Sequence, residues 1–387
     1  MEAYLDNAAT TRVTAEVKEA VLHAFDVDYG NPSSKHTKGM DAENIVKSAA
    51  ETIAKTLRCD PGEIVFTSGG TESNNMALIG TALANRRSGN HIITTRIEHP
   101  SVYEPLGWLE KQGFQVTYLP VDADGHLEPE VLREAITPET ILVSVMYVNN
   151  EIGTCMDVAS LGQIVHEQNA QALFHVDAIQ AYGKYRIAPK KEGIDLLSAS
   201  GHKIHGPKGV GFLYVGDKVK IHPVIFGGGQ QKGRRSGTEN VPGIAGLAAA
   251  VSEIYDGLDA GFDKMMDWKK RFIQEVSKIQ DVTVNGITET QIEHTAPHII
   301  SVSFAGVRSE VLLHALAEKG IYVSSGSACS SNHPALSGTL KAIGLEENLL
   351  DSTLRFSITR ETTDAQMEYT LECLGQLVPM LRRYTRH

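Results

Sequence analysis

Residues 63–75 read EIVFTSGGTESNN. A short apolar run rich in β-branched and aromatic side chains stops at Gly69-Gly70-Thr71, and a helical pattern continues over 71–87. That is a strand running into a helix through a glycine turn. The same unit recurs along the chain. Strand-like runs follow at HIITTRI (91–97), QVTYLPV (115–121), ILVSVMYV (141–148), ALFHVD (172–177) and GVGFLYV (209–215). Helix-like segments at 101–112, 128–136 and 158–169 separate them. Alternation of this kind predicts an α/β fold with a mostly parallel sheet, whose ligands sit beyond the carboxyl ends of the strands.

From about residue 265 the pattern changes. A long helical segment leads to HIISVSF (298–304), a helix over 309–319, Ile321–Val323, LRFSIT (354–359) and a closing helix from about 363. This predicts a smaller α+β domain. The expected division is a large domain over 16–260, with 1–15 and 261–387 forming the small one.

Bulk properties narrow the function. The 387 residues are 42% hydrophobic and 21% charged, with both signs mixed. That supports a folded core and disfavours long disordered tracts. A net charge of −11 argues against general binding to nucleic acid or to anionic membranes. No apolar run approaches the ~20 residues that span a bilayer. MEAYLDNAATT lacks the basic-then-apolar pattern of a signal peptide. The four cysteines, Cys59, Cys155, Cys329 and Cys373, are far apart without a C-x-x-C pair, so neither a metal site nor a disulfide framework is expected. A reducing cytoplasm is the expected location, where Cys329 stays a thiol.

The residues after the strands carry the chemistry. In SASGHKIHGPKG (198–209), Lys203 sits in a turn stiffened by Gly201, Gly206, Pro207 and Gly209. A lysine held this way suits Schiff-base chemistry, although most loop lysines are simply solvated. Gly201 and Gly206 have P-loop spacing, but Pro207-Lys208-Gly209 replaces the lysine–hydroxyl pair that a nucleotide site needs. Asp177 ends ALFHVD. Alone it reads as a helix cap; with Lys203 it matches the carboxylate and amine that pyridoxal phosphate (PLP) requires. Gly69-Gly70-Thr71 offers backbone N–H groups to a phosphate, and GGGQQKGRRSGTEN (227–240) is a second glycine-rich anion site with Arg234, Arg235 and Thr238. Finally, SSGSACSS (324–331) sets Cys329 among serines, unlike the apolar surroundings typical of a free cysteine. Cys59 and Cys373 fit the buried type, and Cys155 is given no role.

Taken together, YLDNAATT (4–11), GNPSSKH (30–36), VNNEIG (148–153), SGHKIHGPKG, RSGTEN (235–240), SSGSACSS and LRFS (354–357) resemble the PLP-dependent cysteine desulfurases, in the branch with an S-S-G-S-A-C motif. The resemblance spans nearly the whole chain and includes the nitrogen-fixation and housekeeping iron–sulfur enzymes. It implies the type I fold of PLP-dependent transferases and conversion of L-cysteine to L-alanine, with the sulfur carried as a persulfide on Cys329.

The resemblance also implies roles for single residues. Lys203 holds PLP covalently and shuttles protons. Asp177 pairs with the pyridinium nitrogen, Gln180 bonds the phenolic oxygen and His99 stacks on the ring. Asn150 lies beside ring and substrate. Gly70, Thr71, Ser200 and His202 hold the phosphate, with Thr238 supplied across a homodimer. Arg355 clamps the substrate carboxylate and Asn31 is a further substrate contact. His99 is also a candidate acceptor for the thiol proton. A Ser/Gly segment lets Cys329 travel between the site and an acceptor protein.

Two departures from the family pattern bear on that acceptor. SSNHPALSG (330–338) is unusual around His333-Pro334, and the chain stops soon after LRRYTRH without the longer tail of some housekeeping members. Gly-Gly-Thr also replaces the commoner Gly-Ala-Thr at 69–71. The two departures leave the expected acceptor open between an iron–sulfur scaffold and a tRNA-thiolation enzyme or other dedicated acceptor. Alternatives to the whole reading are a selenocysteine lyase, another aminotransferase-like PLP enzyme, or a silent docking partner. The last would be expected to lack Lys203, Asp177 or Cys329.

Overall fold

The computed structural model describes residues 1–287, 291–325 and 336–384. Strands in chain order are β1 (Ala3–Tyr4), β2 (Ile64–Thr67), β3 (His91–Thr95), β4 (Gln115–Leu119), β5 (Thr140–Met146), β6 (Leu173–Asp177), β7 (Leu196–Ser200), β8 (Gly211–Val215), β9 (Val282–Asn285), β10 (Ile299–Phe304), β11 (Ile321–Tyr322) and β12 (Thr353–Ser357).

The main sheet has the order β2-β8-β7-β6-β5-β3-β4. β8 runs antiparallel to both neighbours, and the other pairings are parallel. β5, β7 and β8 are buried at every position. That is what a sheet with helices on both faces demands, and why β5 and β8 read as apolar runs rather than alternating ones. One face packs Ile53, Leu57, Val143, Phe174 and Leu247. The other packs Met76, Leu106, Leu142, Leu196 and Leu213.

The sequence expectation and the structure part company at β7. Ser198, Ala199 and Ser200 belong to a strand rather than to the turn around Lys203: their backbone pairs with β8 on one side, and Ser198 with Asp177 of β6 on the other. The turn proper is the short helix Gly201–Lys203. The long helix expected from about 265 begins at Leu258, directly after Gly257 ends the helix Val241–Asp256.

Residues 70–85 form one continuous run, an α-helix over Gly70–Asn75, a π turn over Met76–Gly80 and an α-helix over Thr81–Asn85. Its first residue packs tightly, since a Cβ at Gly70 would lie 2.2 Å from Ile179 Cδ1. The helix Pro100–Lys111 starts with His99 as its N-cap and Pro100 at the first turn. Proline there has no N–H to leave unsatisfied.

A second layer is built on the antiparallel sheet β12-β10-β9. Leu258–Val276, Ser309–Glu318 and Asp364–Tyr384 cover it around Phe272, Phe304, Phe356 and Leu374. The amino terminus joins this layer: β1 pairs in parallel with β11, and Asp6 bridges to Ser357. Among the described residues no helix is long and apolar enough to cross a membrane, and no cluster of His, Cys, Asp and Glu could hold a metal.

Candidate active site

A cavity of about 300 Å³ opens beyond the carboxyl ends of β5, β6 and β7, where a doubly wound sheet places its ligands. Gly70, Thr71, His99, Asn150, Asp177, Gln180, Ser200, His202, Lys203 and Arg355 all line it, with Ala8, Ala9 and Ser324. Asn31 and Thr238 do not. Asn31 is held in its own loop, where Oδ1 accepts from Ser33 N at 2.9 Å, and Thr238 is exposed. Cys329 lies outside the described residues.

Lys203 is aimed by a turn that tolerates little else. A Cβ at Gly206 would lie 2.9 Å from Gly201 O. His205 adopts φ 64°, a left-handed conformation costly for a branched residue. It is held there by its N–H donating to Thr11 Oγ1 at 2.7 Å and its Nδ1 bonding Arg12 O at 2.8 Å. Lys203 Nζ then donates to the carbonyls of Ala8 and Ala9.

Opposite it, Asp177 is buried at the end of β6. Oδ1 accepts from Ile179 N at 3.0 Å and Oδ2 from Asn74 Nδ2 at 2.8 Å. Burial raises its pKa, while these hydrogen bonds and the charges of His99 and Lys203 lower it. Next to it, Glu98 is pushed up to about 8 by burial and by Asp177, so it is a neutral acid at pH 7. Gln180 donates to Ala8 O at 2.9 Å and faces His298 Nε2 at 3.4 Å. Burial and Lys203 bring His202 down to about 4, leaving it neutral.

On the far wall, Arg355 reaches in from β12. Nη1 donates to Asn150 O at 2.7 Å and Nη2 to Asp6 Oδ1 at 2.9 Å. Its Nε is buried without a partner among the described residues. A buried donor left over beside a cavity is a ready contact for an anionic group. Arg355 also pairs through its backbone with Ser324, and Ser337 Oγ donates to Glu151 Oε2 at 2.5 Å. The chain that carries Cys329 therefore departs and returns beside the cavity.

The cavity fits PLP. Ser200 Oγ is buried with no hydrogen-bond partner among the described residues, next to the Gly69-Gly70 turn at the start of the 70–85 helical run. That is an unfilled polar corner suited to a phosphate oxygen. Asp177 supplies the anion for a pyridinium nitrogen and Lys203 the amine for an aldehyde.

A model of the aminotransferase class-V family matches residues 3–369. The chain belongs to this family. Among its class-V relatives is a protein named cysteine desulfurase IscS from Dictyoglomus turgidum, 43% identical over 382 residues, which cover 98% of this chain and 95% of that one. A solved structure titled a NifS-like protein superposes with TM-score 0.92 at 36% identity, covering 98% of this chain and all of that chain. Another, titled SspA in complex with cysteine, has TM-score 0.82 and 34% identity over 93% of this chain and all of that one. In this class-V member, sequence reasoning passed over Asn74, Glu98 and Ser101. Asn74 stands in the stretch 63–75, and Glu98 and Ser101 flank His99 in the chain, but polar residues beside a motif carry no pattern that separates a cap from a site neighbour. The carbonyls of Ala8 and Ala9 leave no trace in side-chain identity at all.

Proposed function

We propose that this protein is a PLP-dependent cysteine desulfurase: it converts L-cysteine to L-alanine and passes the sulfur, as a persulfide on Cys329, to an acceptor protein. The observation that carries the reading is one cavity lined by Asp177, Lys203 and Arg355, from two different sheets, with the Cys329 segment anchored at its edge through Ser324.

PLP, when bound, supplies an aldehyde that condenses with amines and a ring that takes up electrons from the substrate's α-carbon. The chain's own residues do the rest. Ser200, His202, Thr71 and the Gly70 N–H would hold the phosphate of PLP, Asp177 its ring nitrogen and Gln180 its phenolic oxygen, with His99 and Asn150 beside them. Arg355 would take the substrate carboxylate, and the Lys203 amine would both anchor the cofactor and carry the α-proton. Asn31, exposed and outside this cavity, would reach substrate only in a partner's site. The Cys329 thiolate bonds to the substrate sulfur as the carbon–sulfur bond breaks. Cys329 is five residues past Ser324, a span of up to ~17 Å, enough to reach the cavity.

Residues 16–260 form the cofactor-holding domain, and 1–15 with 261–387 the domain that brings Arg355 and Cys329. The working form is a homodimer in the cytoplasm. Thr238, exposed and outside its own cavity, then serves the partner's phosphate, and the exposed Leu22, Phe25, Tyr29 and Phe226 find cover. The persulfide goes to an iron–sulfur scaffold or a tRNA-thiolation enzyme.

The test is incubation with L-cysteine and a reductant, measuring alanine and sulfide together. The two should appear in equal amounts. Cys329→Ala should lose sulfide release yet keep the visible absorbance of bound cofactor. Full turnover by that variant would refute the persulfide step.

A further inference from the structure

Two side chains without a role above, Asn74 and Ser101, link Asp177 to His99 by hydrogen bonds. Asn74 Nδ2 carries two hydrogens. One goes to Asp177 Oδ2 at 2.8 Å and the other to Ser101 Oγ at 2.8 Å. Ser101 Oγ, already accepting from Asn74, lies 2.8 Å from His99 Nδ1. The Ser101 backbone N–H points at the same ring nitrogen, at 3.1 Å.

Hydrogen counting fixes every direction in this chain. A backbone N–H only donates, so Nδ1 of His99 must be the acceptor and its proton belongs on Nε2. The Ser101 hydroxyl hydrogen has one place to go, because its other neighbour, Asn74 Nδ2, is itself a donor. Asn74 does not turn over, since that would set its Oδ1 against the Asp177 carboxylate. Its Oδ1 is left buried without a partner among the described residues, an orphan tolerated because both hydrogens are used. Donation thus runs outward from Asn74, to Asp177 on one side and through Ser101 to the imidazole on the other.

We propose that Asn74 and Ser101 are positioning residues that lock His99 in its Nε2–H form, so that His99 meets the cavity as a fixed hydrogen-bond donor rather than as a base. The inference rests on the desulfurase reading for its meaning but not for its test. With Nδ1 held by two donors, the nitrogen left for the cavity is Nε2, and a nitrogen that already bears hydrogen has no lone pair for a thiol proton. Burial lowers the pKa of His99 against the opposing charge of Asp177, and Lys203 lowers it further, which favours the neutral ring. Acceptance of the thiol proton, the role expected of His99 from the resemblance, therefore falls to another group.

The experiment is a two-bond proton–nitrogen correlation spectrum of the holoenzyme with nitrogen-15 in its histidines, His99 being assigned by its loss in His99→Gln. The wild type should show hydrogen on Nε2 alone between pH 6 and 8. In Ser101→Ala one of the two donors to Nδ1 is gone. The tautomer ratio should then relax by about tenfold and the His99 pKa rise by about one pH unit, with Asp177 and Lys203, the other charges facing the ring, untouched. Ser101→Thr should restore the wild-type spectrum. Hydrogen on Nδ1 in the wild type overturns the proposal, and this reading stands even if the alanine variant fails to fold. An alanine variant that folds with an unchanged spectrum also overturns it. Loss of cysteine turnover with the wild-type spectrum as expected would remove the desulfurase reading and leave the tautomer lock in place.

Discussion

Replacing Glu98 by Gln tests whether the site keeps a second carboxyl neutral beside Asp177. Glu98 Oε1 accepts from Thr95 Oγ1 at 2.6 Å and from Met146 N at 3.1 Å, while Oε2 is buried without a partner among the described residues. Burial and the Asp177 charge carry its pKa from the ordinary 4.5 to about 8. Unfolded, this carboxyl ionises near 4.5. Folded, it keeps its proton to about 8. Between those values the folded state binds one more proton, so stability falls as pH rises through the window and levels off above it. At about 1.4 kcal/mol per pH unit the loss comes to about 5 kcal/mol. Gln keeps the acceptor for Thr95 and Met146 but places an unpaired NH2 where Oε2 was, at about 1–3 kcal/mol. The variant should therefore be less stable than the wild type near pH 5 and more stable, by about 2–4 kcal/mol, at pH 9. Thermal unfolding of the holoenzyme over pH 5–9 reads this as two midpoint curves that cross, with a separation of several degrees at the alkaline end. Parallel curves would show that Glu98 ionises normally in the fold and would sink the argument.

Lys269 should show the opposite slope. It is fully buried, donates to Thr295 Oγ1 and Ala296 O at 2.7 Å, and has its pKa lowered to about 7 by burial. Its unfolded form holds the proton to 10.5, so the penalty is complete below about pH 7 and fades toward 10.5. Lys269→Met should raise the unfolding midpoint at pH 6, less the loss of about 1–3 kcal/mol for the stranded Ala296 carbonyl, and lower it at pH 10. Arg355→Lys keeps the charge and loses the planar fork. KM for L-cysteine should rise about 10- to 100-fold, as measured by initial rates of alanine formation, with the cofactor still bound. Gly70→Ala puts a methyl 2.2 Å from Ile179 Cδ1, a flexible side-chain end that can swing aside, so cofactor affinity, read by visible absorbance during titration, should stay within about threefold of the wild type; a loss of tenfold or more would show that the turn itself had moved.

Much of this was legible in the sequence, for a physical reason. Parallel strands buried on both faces must be apolar throughout, so β2, β3, β5 and β6 announce themselves, and chemistry at their carboxyl ends follows in fixed order. β7 was harder because two of its last three residues, Ser198 and Ser200, are polar and the third, Ala199, is small, so its buried run does not look apolar. Ten of the residues assigned from the motifs line one cavity: nine end or follow strands of the main sheet or start helices beside it, and Arg355 reaches in from within β12. Asn31 and Thr238 do not join them, since a motif fixes neighbours along the chain and leaves open which chain's cavity they face. Asn74, Glu98 and Ser101 escaped because their part depends on which hydrogen points where, and residue identity does not encode that direction.

The amino-terminal segment explains how two layers make one site. Asn7 Nδ2 donates to Ser357 O at 2.9 Å and Ala8 N to Ser357 Oγ at 2.8 Å, which fastens the segment to β12 beside Arg355. The carbonyls of Ala8 and Ala9 then turn to Lys203 and Gln180 on the main sheet. Asp6, one residue before this stretch, holds the Arg355 guanidinium through Oδ1. Within residues 6–9 the chain thus touches Lys203, Gln180 and Arg355. Carbonyls suit this task because they hold the Lys203 amine by hydrogen bonds without adding a charge that would compete with Asp177. A carboxylate at the same place would form an ion pair with Lys203, raise the cost of releasing its proton and oppose its use as an amine nucleophile. The small side chains of Ala8 and Ala9 follow from the same need, since only their backbone has work to do against the cavity wall.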